Sequence, residues 1–464
     1  MTGSTATDPA AVFAVNESRC FGWLMQLGEI TDPARPWTRT AFSERHGQGR
    51  AFLAARMREL GLKTWIDAAG NLIGRREGSE PSLRAVVIGS HSDTVVGGGR
   101  FDGIAGVIAG LEVAAALRDA GAQLRHSLEI VDFLAEEPNE FGLSCIGSRG
   151  MAGKLDADML ARTNKAGMAL REAIAAVGAA GGAARGAGAG AEAANTESSA
   201  RASGGAGADG RTDPDGGERS DVAPVVAARR SDIAAFFELH IEQGPVLEAQ
   251  RRDVGVVTHI AGIRRLALIF KGQAAHAGTT PLDLRRDALV AASRFVLELR
   301  QALEGRPESR PFVIATVGEM YITPNAANVV PGEARMVVDL RSDASEALVT
   351  WTDRIRALAE GAIAGTQVQL AQCRLLSATE PTTCAPALTG HLREAARELG
   401  LRQQDIVSGA GHDAAFLSHV APAAMLFVPS RGGMSHCAEE WTDSAALAKG
   451  VAALLRAVRR FDSQ

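Results

Sequence analysis

Cysteine is scarce in this 464-residue chain and never paired: Cys20, Cys145, Cys373, Cys384 and Cys437 stand apart, with no CxxC. An odd, dispersed set argues against a disulfide framework and fits a reducing cytosol. No apolar run approaches the length of a membrane span. The first residues, MTGSTATDPAAVF, lack a basic stretch followed by an apolar one, so no signal peptide is expected. Positive charge is not in excess. A net charge of -5 leaves no basic footprint for nucleic acid and no pull toward an anionic membrane. GGGRFDGIAG lacks both the GK[ST] of a P-loop and the GxGxxG spacing of a dinucleotide fold, which removes nucleotide binding. What remains, 46% hydrophobic and 22% charged residues, is ordinary for a soluble globular protein long enough for two or three domains. The expectation is a cytoplasmic enzyme.

Strand and helix signals alternate along the first part. A helix is expected from Glu44 to Leu60, then a hairpin (KTWIDAAGNLIGRREG) turning near Ala69 and Gly70. The β-branched RAVVIG, the small apolar helix after Gly103 and the strand in HSLEIVDFLAEE follow. Alternation of this kind predicts a mixed, mostly parallel sheet flanked by helices, an α/β fold. From about 177 to 220 the pattern dissolves into alanine, glycine and polar residues, which predicts a disordered insertion. Order returns with the strand IAAFFELHIEQG. Residues 254–374 then read βαββαβ, a ferredoxin-like lid inserted between the two parts of a catalytic domain, 1–253 and 375–464.

Several polar residues sit where apolar segments end, the edge at which α/β sheets gather ligands. His91 and Asp93 close RAVVIGSHSD, and Asp102 is placed to cap the next helix, where the dipole favours a carboxylate. Glu136 and Glu137 end the strand SLEIVDFLA, His240 lies in ELHIEQG, and His436 follows the strand AAMLFVP. Each alone reads as a turn, a helix cap, a solvated acid or a core histidine. Jointly, imidazoles with carboxylates and no cysteine suit zinc, manganese or cobalt. Histidines and a glutamate around a bridging aspartate make a two-metal site, which lowers the pKa of a shared water and polarises a carbonyl.

GSHSDT, GRFDG, AEEPNEFG, ELHIEQG, GQAAHAGTTP, NAANVVPGE, SGAGHDA and GGMSHCAEE, in this order, resemble the metal-dependent amidases of the hydantoinase/carbamoylase group. That group includes N-carbamoyl-L-amino-acid hydrolases and allantoate amidohydrolases, within the superfamily of aminoacylases and dinuclear-metal carboxypeptidases. The resemblance implies two divalent ions per subunit, zinc or manganese, with cobalt a further candidate. His91 and His240 would hold one, Glu137 and His436 the other, and Asp102 would bridge them. Glu136 would be the general base for the bridging water, and Asp93 would orient His91 through its second ring nitrogen. In the lid, His276 would stabilise the oxyanion, while Gln243, Asn328 and Arg341 match substrate-binding positions. His412 and Asp413 belong to the same pattern without an assigned role. The implied reaction is cleavage of a carbamoyl or ureido C–N bond beside a carboxylate, in an N-carbamoyl-L-amino acid or, as the alternative, allantoate. Distant peptidase relatives carry a carboxylate where His240 stands. A homodimer through the lid is also implied. One departure lies beside the acid pair: Pro138, Asn139 and Glu140 stand where many relatives have a glycine and an arginine before the phenylalanine.

Overall fold

A computed structural model describes residues 13–186, 228–306 and 311–464. The chain divides into two units. The first holds the residues up to Ala234, with His419–Ala421 and Met434–Ser444; the second holds Ala235–Ser418, Pro422–Gly433 and Ala445–Gln464.

Among the described residues, the strands lying wholly in the first unit are β1 (Lys63–Ile66), β2 (Leu72–Arg76), β3 (Ala85–His91) and β4 (Leu128–Phe133). Their order is β1-β2-β4-β3, with β3 and β4 parallel and the β1–β2 hairpin antiparallel. Every residue of β3 and β4 is buried, Glu129 and Asp132 among them, as in strands covered on both faces. The helix Ile104–Asp119 packs on them and is buried from Ile104 to Leu117. Its small residues let it lie close to the sheet.

The second unit begins its strands with β5 (Ile233–Ile241), of which all but the first two residues belong here. There follow β6 (Val254–Ile260), β7 (Gly262–Lys271), β8 (Ala275–His276), β9 (Val313–Thr323), β10 (Val329–Val330), β11 (Glu333–Ser342), β12 (Gln369–Thr379), β13 (Thr382–Thr383), β14 (Gln403–Ser408) and β15 (Ala423–Val428). β15 runs parallel to β5 and antiparallel to β6, and β14 runs parallel to β6. A separate antiparallel sheet has the order β12-β7-β11-β9. The helices Ala288–Glu304 and Ser345–Ala362 cover one face of it, around Leu268, Phe270, Phe295, Val338 and Ile355. Its chain order is βαββαβ, as expected, and burial alternates along β11 because only one face is covered.

The antiparallel sheet runs from Gly262 to Thr379, and Val254–Ile260, at the head of the expected lid, pairs with β14 and β15. Two expectations need correcting. Residues 177–186 are helical, as the end of the helix Leu170–Gly186, because alanine favours helix even where nothing large can be buried. The rest of the 177–220 stretch, to 220, lies outside the described residues. Asp102 does not cap the helix after it: the helix starts at Ile104 and its N-cap is Gly103, whose φ of 67° with ψ of -47° is backbone that glycine adopts without strain. Among the described residues no helix is long and apolar enough to cross a membrane.

Candidate metal centre and active site

In the first unit, β3 delivers His91 at its end, and the ring is held from both sides. Nδ1 lies 3.0 Å from the backbone carbonyl of Asp93, which can only accept, so Nδ1 carries the proton and Nε2 the lone pair. Nε2 faces Asp102 Oδ1 at 3.8 Å and Glu136 Oε2 at 3.7 Å. A Cβ at position 103 would fall 2.3 Å from the imidazole, so glycine is required there by space as well as by φ. The loop is braced from beneath by the buried Arg39, whose Nε donates to Ser92 O at 2.8 Å and whose own carbonyl accepts from Thr94 N at 3.1 Å. Burial lowers the pKa of Arg39 to about 10.

The Asp93 carboxylate is 3.7 Å from His91 Nδ1, but its hydrogen bonds go elsewhere. It accepts the backbone N–H groups of Glu136 at 3.2 Å and Glu137 at 3.1 Å. Asp93 thus fixes the acid pair directly and His91 through its backbone. Full burial pushes its pKa up to about 7 against those hydrogen bonds.

Glu136 and Glu137 are 9% and 5% exposed. The Cys145 thiol donates to Glu136 Oε1 at 3.1 Å, and the Cys145 N–H donates to Glu136 O at 2.9 Å. Ala135 and Cys145 both hold left-handed backbone, with φ of 53° and 56°, and strain of this kind clusters at functional loops. His436, also left-handed at φ 57°, brings Nε2 to 2.8 Å from Asp102 Oδ2 and 3.4 Å from Glu137 Oε1. The Asp102 carboxylate beside it raises its pKa to about 9. Such a pull on a proton marks a place where negative charge is concentrated. Asp102, Glu137 and His436 each offer one ligand atom within 4.8 Å of the others. Atoms bound to one ion at about 2.1 Å in a tetrahedral shell lie about 3.4 Å apart, so the spacing and the donor types suit a divalent metal.

In the second unit β5 delivers His240, with Nδ1 held 2.8 Å from Ile241 O, which again leaves Nε2 as the lone-pair nitrogen. His240 is buried with Glu238 and His412, and these three form a further group with metal-ligand spacing. The His240 and His412 rings stack edge-on at 4.6 Å, and His412 Nε2 lies 2.7 Å from Ser408 Oγ. Gln243 follows in left-handed backbone, its N–H on Ser430 Oγ.

His276 and Asn328 meet on the β8–β10 ribbon, where Val329 is the register partner of His276 and Ala277 N–H donates to Asn328 O at 2.9 Å. Gly278 and Thr279 N–H groups both donate to His276 Nδ1, so Nε2 carries the proton. Arg341 lies on β11 with Nε on Asp339 Oδ1 at 2.6 Å and Nη1 on Gly409 O at 2.6 Å.

Two further residues escaped the reading of the motifs. Cys145 is one of five scattered thiols in the sequence, and Glu440 stands in GGMSHCAEE with no role assigned to it. Glu439 is exposed, whereas Glu440 is 1% exposed. No local signal separates them; only the fold does.

The sequence profile of Peptidase family M20/M25/M40 matches residues 87–460. The chain belongs to this family. An N-carbamoyl-L-amino-acid amidohydrolase of Paenarthrobacter aurescens is 37% identical to it over 92% of this chain and 93% of its own length. An allantoate amidohydrolase of Bacillus subtilis is 32% identical over 93% of this chain and 94% of its own. The crystal structure of a hydantoinase/carbamoylase family amidase from Burkholderia multivorans superposes with a TM-score of 0.82 at 34% identity, covering 97% of this chain and 99% of that one. Within the family the chain is a hydrolase of carbon–nitrogen bonds other than peptide bonds.

Proposed function

We propose that the enzyme hydrolyses the carbamoyl C–N bond of an N-carbamoyl-L-amino acid, releasing ammonia, carbon dioxide and the free amino acid. The observation that carries this reading is the buried Glu136 carboxylate, oriented by Cys145 and set beside His91, in the same unit as Asp102, Glu137 and His436. The residue types suit two divalent ions, zinc or manganese, with cobalt a further candidate: Asp102, Glu137 and His436 would hold one, and the resemblance assigns His91 and His240 to the other. When bound, such ions polarise a carbonyl and lower the pKa of a water. Glu136 takes the proton of the attacking water and returns it to the leaving nitrogen. Asp93 keeps Glu136 and Glu137 in register through their backbone N–H groups. His276, protonated at Nε2, donates to the oxyanion as the carbonyl becomes tetrahedral. Arg341 pairs with the substrate carboxylate by exchanging its Asp339 contact for it, and Gln243 and Asn328 hydrogen-bond the substrate's polar groups. A cytoplasmic homodimer joined through the lid completes the reading, and sedimentation of the purified enzyme tests the dimer.

A second substrate, allantoate, is favoured by the Bacillus subtilis relative, and the Pro138–Glu140 departure beside the base weakens the transfer of either substrate. Ammonia release with manganese or zinc decides between them, N-carbamoyl-L-amino acids and allantoate being offered side by side with Glu136→Gln as control. Metal-dependent release from the carbamoyl amino acid, lost in the variant, supports the first reading; release from allantoate alone supports the second. Turnover that survives Glu136→Gln removes the mechanism.

A further inference from the structure

We infer that Glu440 is a positioning residue whose carboxylate fastens the turn carrying Asp102 to the loop carrying His436, and so sets the metal-binding distance between them. The inference rests on the metal-site reading above.

Glu440 is one turn of chain beyond His436 and is almost wholly buried. Its Oε1 accepts the backbone N–H groups of Phe101 at 2.8 Å and Asp102 at 3.1 Å. Its Oε2 accepts the Ser435 hydroxyl at 2.8 Å, and that hydroxyl oxygen also lies 3.4 Å from Asp102 Oδ2. One carboxylate therefore grips the backbone of one proposed ligand and the neighbour of the other. The grip is built in from both sides. A Cβ at position 99 would fall 1.9 Å from Glu440 Oε1, so the third glycine of GGGRF is the seat of this side chain. The next residue, Trp441, packs edge-on against Phe21 and Phe101 with ring centroids 5.7 and 5.3 Å away, which anchors the loop beside the turn it holds.

Carboxylates do not meet backbone donors by chance in a buried position: desolvation disfavours them unless every lone pair is used. Here three donors use it. Removing the carboxylate leaves two buried N–H groups and a hydroxyl without it, and frees Asp102 and His436 to separate.

Metal affinity reads this directly, without turnover. The full chain is stripped of metal, and zinc is titrated against a chromophoric chelator for the wild type, Glu440→Ala, Glu440→Gln and Glu440→Asp, with circular dichroism recording folding. Glutamine keeps the reach and one acceptor oxygen for the two N–H groups; alanine has neither, and aspartate is one methylene short. The expected result is a loss of affinity of about 10–100-fold for alanine and aspartate, the usual effect of removing a partner that orients ligands, with glutamine within about threefold of the wild type. Wild-type affinity in folded Glu440→Ala overturns the inference. So does an equal loss in folded alanine and glutamine variants, which would assign the effect to charge rather than to the tether. Should the alanine variant not fold, the aspartate and glutamine pair carries the same decision. Asp102→Ala and His436→Ala are run alongside: if both bind zinc as the wild type does, the metal-site reading has failed, a result distinct from the failure of Glu440 alone.

Discussion

The two units solve opposite problems with the same residue types. In the first, His91, Asp93, Asp102 and Glu137 are at most 5% exposed, and each is held through backbone groups as well as side chains. In the second, His276 and Asn328 lie exposed on a two-residue ribbon, and Arg341 has its guanidinium on a neighbouring aspartate. The groups proposed to hold metal ions and to move the proton are fixed before substrate arrives. The groups proposed to bind substrate and to stabilise the oxyanion are held by local hydrogen bonds instead. Rigidity thus follows the chemistry, not the residue type: a histidine is locked at 91 and loosely seated at 276.

Substitutions can break or sharpen this contrast. Glu136→Gln should lower kcat by about 10²–10⁴-fold, with KM nearly unchanged, in steady-state ammonia release. His276→Ala should cost about 10²–10³-fold, again in kcat, as loss of one oxyanion donor does. A larger rise in KM than fall in kcat would move His276 from the oxyanion to substrate binding. Arg341→Lys should raise KM about tenfold, the worth of one charge-assisted hydrogen bond, and leave kcat close to the wild type. Cys145→Ala should lower kcat about threefold, because a thiol is a weak donor, and Cys145→Ser should recover most of it.

The smallest effect concerns stability. Lys449 at 2.7 Å and Arg402 at 3.0 Å hold the Asp253 carboxyl well below the usual carboxylate range. A depressed folded pKa stabilises above the unfolded value of about 3.9, and that stability is lost as the pH falls below it. Thermal melts should show the wild type ahead of Asp253→Asn at pH 7 by about 1 kcal/mol or less, with the gap closing between about pH 4 and 2.

Much of this was legible in the chain. Strands announced themselves as apolar runs, and the acid and imidazole residues stood at their ends, so the fold class and the clustering of His91, Asp102, Glu136, Glu137 and His436 followed from pattern. What pattern could not show was set by distance along the chain. Glu440 grips Asp102 from 338 positions away, and no window of sequence separates it from the exposed Glu439 beside it. Asp102 reads as a cap because a carboxylate just before an apolar helix commonly is one; the helix starts one residue further on, with Gly103 as its N-cap. The strand Val254–Ile260 lies within the expected lid boundary, and no sequence pattern shows that it pairs with β14 and β15.

The central claim is that the acid and imidazole cluster of the first unit is a metal centre. An anomalous difference map from crystals of the enzyme grown with manganese or zinc tests it most directly. Two peaks flanking the Asp102 carboxylate, one beside His91 and one between Glu137 and His436, are the result expected. A fully loaded crystal with its peaks elsewhere, or none at Asp102, would contradict it.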